Sequence, residues 1–139
     1  CAWIRTERDG TLLARAGRDE WEQGGKAFFV RDGRLGFDVG WVGFVGAQRA
    51  PVADGRWHHV AVTVRSWGGR SAVSLYVDGE AVGGGELAAG QLDDSGLPLQ
   101  IGYTNDDFPA EPGLAGEIDD VQHYPYVLGQ DALERLAGQ

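Results

Sequence analysis

Asp54-Gly55-Arg56-Trp57-His58-His59-Val60-Ala61-Val62-Thr63-Val64-Arg65, followed downstream by Leu75-Tyr76-Val77-Asp78-Gly79, is the stretch whose reading decides the fold. Val60, Val62 and Val64 fall on one face of an extended chain, and His59, Ala61 and Thr63 fall on the other. That period of two is the mark of a half-buried β-strand. Asp54-Gly55 introduces the strand and Trp67-Gly68-Gly69 closes it. Ala72–Val77 runs back with the same alternation, and Asp78-Gly79 turns the chain once more. An Asp-Gly pair supplies the positive φ angles that a two-residue hairpin turn requires.

Outward from this hairpin, the chain keeps the same grammar. Ala2–Thr6, Leu12–Ala16, Ala27–Arg31 and Leu35–Val39 are short apolar runs bounded by Gly or Asp-Gly, and Asp9-Gly10 and Asp32-Gly33 read as tight turns. Trp41–Val45 is a further short strand, and Gly83-Gly84-Gly85 reads as a break. Leu97–Tyr103 is a strand, residues 104–112 form a polar loop, and Glu117–Tyr126 is the last strand. Only Gln130–Leu136 is helical, with Leu133 and Leu136 one turn apart and Asp131 in the first turn. Roughly nine or ten short strands and a terminal helix predict an all-β, two-sheet antiparallel sandwich in a single domain over residues 1–139.

Composition narrows the function. The 42% hydrophobic content is enough for a core, and the one cysteine, Cys1, excludes an internal disulfide. The 23 glycines are scattered, which excludes collagen. A net charge of -9 offers no basic patch for nucleic acid or anionic lipid, but it is compatible with neutral glycans and with calcium. No run approaches the ~18 apolar residues of a membrane helix, so no membrane insertion is expected. The chain has no methionine, so Cys1 is not a translational start, and the sequence reads as a processed product or part of something longer.

Three stretches, in order, carry a family resemblance. Ala2-Trp3-Ile4-Arg5-Thr6 is similar to a strand near the start of laminin G-like jelly rolls. The Asp54–Thr63 segment with Leu75–Gly79 resembles the core of that family, and Gly116-Glu117-Ile118-Asp119-Asp120-Val121-Gln122-His123-Tyr124, with Val127-Leu128 and the helix, resembles its C-terminal motif. The resemblance implies a jelly roll of the concanavalin A-like lectin and glucanase superfamily, with Trp3 and Trp57 as core residues. It also implies one more strand before Ala2, paired with the last strand, whose absence would leave an edge exposed.

The superfamily includes retaining glucanases with an E-x-D-x-(x)-E signature, which need two carboxyl groups about 5 Å apart. Here Gln122 stands where the second glutamate would fall, so the chain is expected not to be an enzyme. The resemblance gives Asp119 the role of ligand to one structural calcium, alongside backbone carbonyls. The alternative is an aspartate that accepts backbone hydrogen bonds at a sheet edge.

The run Tyr103-Thr104-Asn105-Asp106-Asp107-Phe108 gathers carboxylates, an amide and aromatic rings. Tyr103, Asn105, Asp106 and Asp107 are therefore candidate carbohydrate-binding residues; the competing reading is a polar loop with Phe108 pinned to the core. Trp41 and Trp67, each beside glycine, are candidate stacking platforms, with Trp21 behind them. His58 and His59 face opposite sides of a strand and cannot chelate one ion together. Ser66, His58 and Asp78 make a triad only on paper, since no nucleophile elbow surrounds Ser66. The expected function is a carbohydrate-recognition module, extracellular or on the cell surface, with a glycan or cell-surface ligand as partner. The alternatives are a protein-interaction or adhesion domain, or a structural spacer beside a catalytic domain.

Overall fold

Alternation in the sequence becomes two packed sheets in the computed structural model, which describes residues 1–88 and 96–139. The strands are β1 (Ala2–Thr6), β2 (Gly10–Arg15), β3 (Lys26–Arg31), β4 (Arg34–Val39), β5 (Gly43–Gly46), β6 (Trp57–Trp67), β7 (Arg70–Val77), β8 (Glu80–Leu87), β9 (Leu99–Ile101) and β10 (Gly116–Asp119), followed by α1 (Gln130–Ala137). One sheet has the order β10-β1-β6-β7-β8 and the other β5-β4-β3-β2-β9, with every pairing antiparallel. The core lies between them. Ile4, Val60, Val73, Leu75 and Val77 of the first sheet meet Leu12, Phe28, Val30, Leu35 and Phe37 of the second.

The hairpin turns follow the predicted chemistry at two places. Asp32-Gly33 has φ of 53° and 77°, and Asp78-Gly79 has 52° and 85°, so both central residues are left-handed, as a type I′ turn demands. Asp9-Gly10 is different. Gly10 already lies in β2, and the Asp9 carboxylate instead accepts the backbone N–H of Asp32 at 2.8 Å and of Gly33 at 2.9 Å, fastening a neighbouring turn.

Several expectations are corrected. The three glycines do not break the chain: β8 runs through Gly83–Gly85. Trp41 lies in the turn before β5 rather than in the strand. Trp57 is not a core residue; it is 40% exposed, beneath the Arg5 guanidinium. The last strand ends at Asp119, because Asp120 takes a φ of 49° and interrupts the ladder. Pairing resumes beyond it, where Cys1 and Gln122 exchange two backbone hydrogen bonds of 2.9 Å each. β1 is flanked by β6 and β10.

Candidate functional site

Trp41 follows the end of β4, where a tight turn leads into β5. Its φ is 63° and its side chain is left almost bare, with the residue 81% exposed. A bulky residue in the left-handed region costs about 1–3 kcal/mol and persists only where the surroundings enforce it. Here they do. Gly40 donates to Gly25 O at 2.8 Å, Gly24 donates to Gly40 O at 3.2 Å, and Val42 donates to Val39 O at 3.0 Å. The indole is therefore presented on a pinned backbone.

Trp67 ends β6 and is 48% exposed, beside the Gly68-Gly69 turn. Strand register places it on the same rim as Trp41. Gly43, two residues after Trp41, abuts Leu87 of β8. Leu87 is opposite Ser71 in β7, and Ser71 is opposite Ser66, the neighbour of Trp67. Arg70 and Glu86, joined at 2.8 Å, lie at the same end.

The loop after β9 packs against the 17–21 segment. Tyr103 forms an isolated bridge with Gly113, and its hydroxyl donates to Asp106 Oδ1 at 2.6 Å. That bond raises the Tyr103 pKa above its ordinary 10.0. Asn105 is 0% exposed. Its amide donates to Gly17 O and Glu20 O, both at 2.8 Å, so it clamps the 17–20 segment and cannot meet a sugar hydroxyl. Asp107 Oδ2 accepts the Trp21 backbone N–H at 3.0 Å. Phe108 packs edge-on against Trp21 and Phe29, with centroids 4.7 Å and 5.0 Å away. Together with Ala14 and Ala27 these rings form a second small core on the outer face of β2 and β3. The pinned-loop alternative describes Asn105 and Phe108, and Trp21 belongs to the same structure.

Asp119 is exposed on β10, and its carboxylate accepts the backbone N–H of Asp120 at 2.8 Å. The Asp120 carboxylate takes the Gln122 amide at 2.9 Å, while Gln122 Oε1 accepts the Tyr124 hydroxyl. Glu117 is paired with Arg5, whose Nε is 2.9 Å away. Among the described residues, no group of three His, Cys, Asp or Glu converges to hold a metal ion.

One cluster escaped the sequence reading. His58 Nδ1 is 2.9 Å from Asp78 Oδ2, and Nε2 is 2.9 Å from Asp54 Oδ1. Asp78 also accepts the His59 backbone N–H at 2.9 Å. Burial disfavours the charge on His58, but its hydrogen bonds to Asp78 and Asp54 and their charges outweigh burial and raise its pKa above 6.5. The paper triad is absent, because Ser66 is bonded to Ser71 at 2.7 Å, at the opposite end of β6 from His58. His59 is buried and meets the Trp3 ring edge-on at 5.4 Å. The His58–Asp54 spacing of four residues was visible in the sequence, but the Asp78 contact depends on strand register.

Comparison with known proteins agrees with this architecture. A laminin G family model described as concanavalin A-like lectin/glucanases superfamily matches residues 1–134. The chain is 33% identical over 108 residues to the mouse (Mus musculus) "Sushi, von Willebrand factor type A, EGF and pentraxin domain-containing protein 1". It is 32% identical over 108 residues to the rat (Rattus norvegicus) protein of the same name. Each match covers 70% of this chain, and the chain spans only 3% of the length of those relatives. Among solved structures, the LG4-5 domains of the mouse laminin alpha1 chain superpose with a TM-score of 0.55 at 20% identity, covering 85% of this chain and 32% of that one. An S-layer domain-containing protein from Clostridium thermocellum gives 0.51 at 22% identity, covering 95% of this chain and 64% of that one. Jelly-roll topology, the three ordered motifs and the family match together place the chain among the laminin G-like domains of the concanavalin A-like lectin/glucanases superfamily.

Proposed function

We propose that this domain is a non-catalytic carbohydrate-recognition module of an extracellular or cell-surface protein, with Trp41 and Trp67 as its stacking platforms. The observation that carries the reading is Trp41, 81% exposed on a turn that holds it at a φ of 63°. A large bare ring on a rigid support is costly to keep in water and well suited to stacking on the apolar face of a pyranose. Trp67 on the same rim supplies a second ring, and a flat sugar chain lying across the two would make a shallow contact. The non-catalytic part rests on Gln122, an amide where a retaining glucanase needs a carboxylate, and on Glu117, already paired with Arg5. The laminin and S-layer names of the structural neighbours are in keeping with an extracellular setting.

The test is affinity electrophoresis and glycan-array binding with the wild-type chain, Trp41→Ala and Trp67→Ala. Each substitution is expected to weaken binding about tenfold, close to 1.4 kcal/mol, while the melting temperature stays unchanged. Absence of binding to every polysaccharide, combined with tight binding to a protein ligand, would instead make the domain an adhesion module.

A further inference from the structure

The small core on the outer face of the second sheet stops at β3. Trp21 and Phe108 cover Ala14, Ala27 and Phe29. Next to it, on β4 and β5, Phe44 is 41% exposed. Gly36, Asp38, Phe44 and Gly46 share this outer face, because alternate strand residues point the same way, and Asp38 is opposite Phe44 as Gly36 is opposite Gly46. The Phe44 ring rests on the two glycines. A Cβ on Gly36 would stand 2.6 Å from its Cε2, and one on Gly46 2.9 Å from its Cε1. The Arg31 guanidinium stands over the same ring, 4.1 Å from its centroid.

Asp38 lies between Ala27 of β3 and Phe44 of β5 and is half-buried. Among the described residues, its carboxylate joins no hydrogen bond and no ion pair. Arg31 acts on it only through space, since its guanidinium is held on Phe44 instead. Burial raises the Asp38 pKa above the ordinary 3.8, against the pull of that charge. A carboxylate sheltered from water without a donor is costly, and a ligand that donates to it removes the cost. The Arg31 donors are likewise bonded to no group among the described residues.

This pair adjoins the Trp41 platform. Trp41 occupies the turn that joins β4 to β5, and Asp38 opposite Phe44 is the second rung from that turn, after Val39 opposite Gly43. At most about 10 Å of chain separates Trp41 from either residue, at ~3.4 Å per residue. The chemistry of the pair selects its occupant. A carboxylate only accepts hydrogen bonds and a guanidinium only donates them, whereas a hydroxyl does both. An anion would be repelled by Asp38 and a cation by Arg31, so the pair suits an uncharged polyol.

We propose that the outer face of β4 and β5 is a second sugar subsite, in which Asp38 accepts two adjacent hydroxyls of a neutral pyranose and Arg31, held on Phe44, donates to another of its oxygens. The inference rests on the carbohydrate reading of Trp41 and adds a direction to it: the glycan continues from Trp41 over β4 and β5.

The experiment compares the 139-residue chain with Asp38→Asn, Arg31→Gln and Trp41→Ala by affinity electrophoresis in gels containing galactomannan, xylan or laminarin, with polygalacturonate as a charged probe. The wild type is expected to be retarded by at least one neutral polymer, and Asp38→Asn and Arg31→Gln each to weaken that binding about tenfold. Asp38→Asn should melt no lower than the wild type, since no bond within the protein is lost. Retardation that Trp41→Ala weakens but Asp38→Asn and Arg31→Gln leave intact would overturn the subsite and keep the Trp41 reading. No retardation by any neutral polymer would overturn both. Preference for polygalacturonate, strengthened in Asp38→Asn, would also sink the subsite, because the ligand would then be an anion held by Arg31 alone. A lower melting temperature of Asp38→Asn would make Asp38 a support of the fold and count equally against it.

Discussion

His58 places both ring nitrogens against carboxylates, and only the imidazolium can donate to both. Its folded pKa is above the unfolded value of 6.5. Its contribution is therefore complete below pH 6.5 and is lost as pH rises through the folded pKa. In urea titrations, the stability difference between wild type and His58→Gln should be roughly 1 kcal/mol at pH 5.5, since both carboxylates are partly exposed, and should shrink by pH 9. A difference independent of pH would show that His58 acts by packing alone. Asn105 gives a second test. Loss of two buried hydrogen bonds in Asn105→Ala should cost about 2 kcal/mol in thermal or chemical unfolding, whereas Trp41→Ala should change stability by less than about 0.5 kcal/mol. By residue type, Asn105 was indistinguishable from a sugar ligand, because an amide in a polar loop reads the same whether it faces water or two carbonyls. The usable signal was Phe108, a large apolar ring three residues on, which has to be buried somewhere. His58 was harder to read, since one of its two partners comes from another strand.

At the scale of elements, β8 and β10 show where residue patterns mislead. Glycine punctuates local structure, so Gly83-Gly84-Gly85 looks like a break. In the fold another backbone comes too close to Gly83 and Gly84 for a side chain, while Gly85 faces the Val45 methyls. A side chain on Gly83 would stand 2.7 Å from Ala47 Cα and 2.8 Å from Gly46 O, and backbone cannot move aside cheaply. β8 can pack tightly on the segment leaving β5 only without a Cβ there. Gly83→Val should therefore destabilise the domain by about 1–3 kcal/mol, although valine favours strands, and circular dichroism melting would detect it. A stabilised Gly83→Val would mean that β8 is free to lift. In β10 the needed information was present. Ile118 and Val121 both pack against the core, yet a regular strand puts residues three apart on opposite faces. One residue between them must leave the pleat, and Asp120 does so at a φ of 49°. The β6–β7 hairpin was fully legible, because strict alternation and an Asp-Gly turn admit one reading.

Across the whole molecule, the sandwich is closed unequally. On the side of β5 and β8 the sheets approach through glycine, while on the other side a cleft of about 590 Å³ lies between residues 61–66 of β6 and residues 121–128. Three ordered motifs were enough to predict the jelly roll. That cleft was not legible, because Cys1, residues 61–66 and residues 121–126 are distant in sequence and meet only through the topology. The same geometry makes the Cys1 ammonium a probe of the whole sheet. Burial lowers its pKa below the unfolded value of 8.0, so the folded state favours the neutral amine. Such a group lowers stability while it is charged, and stability recovers as pH rises through its folded pKa towards 8.0. Acetylation of the Cys1 nitrogen removes the charge and keeps an N–H for Gln122 O. The acetylated chain should therefore melt a few degrees higher than the free chain at pH 6, and the gap should narrow by pH 9, where both are neutral at that position. A gap of equal size at both pH values would mean that acetylation acts through added contacts in the cleft rather than through relief of a buried charge.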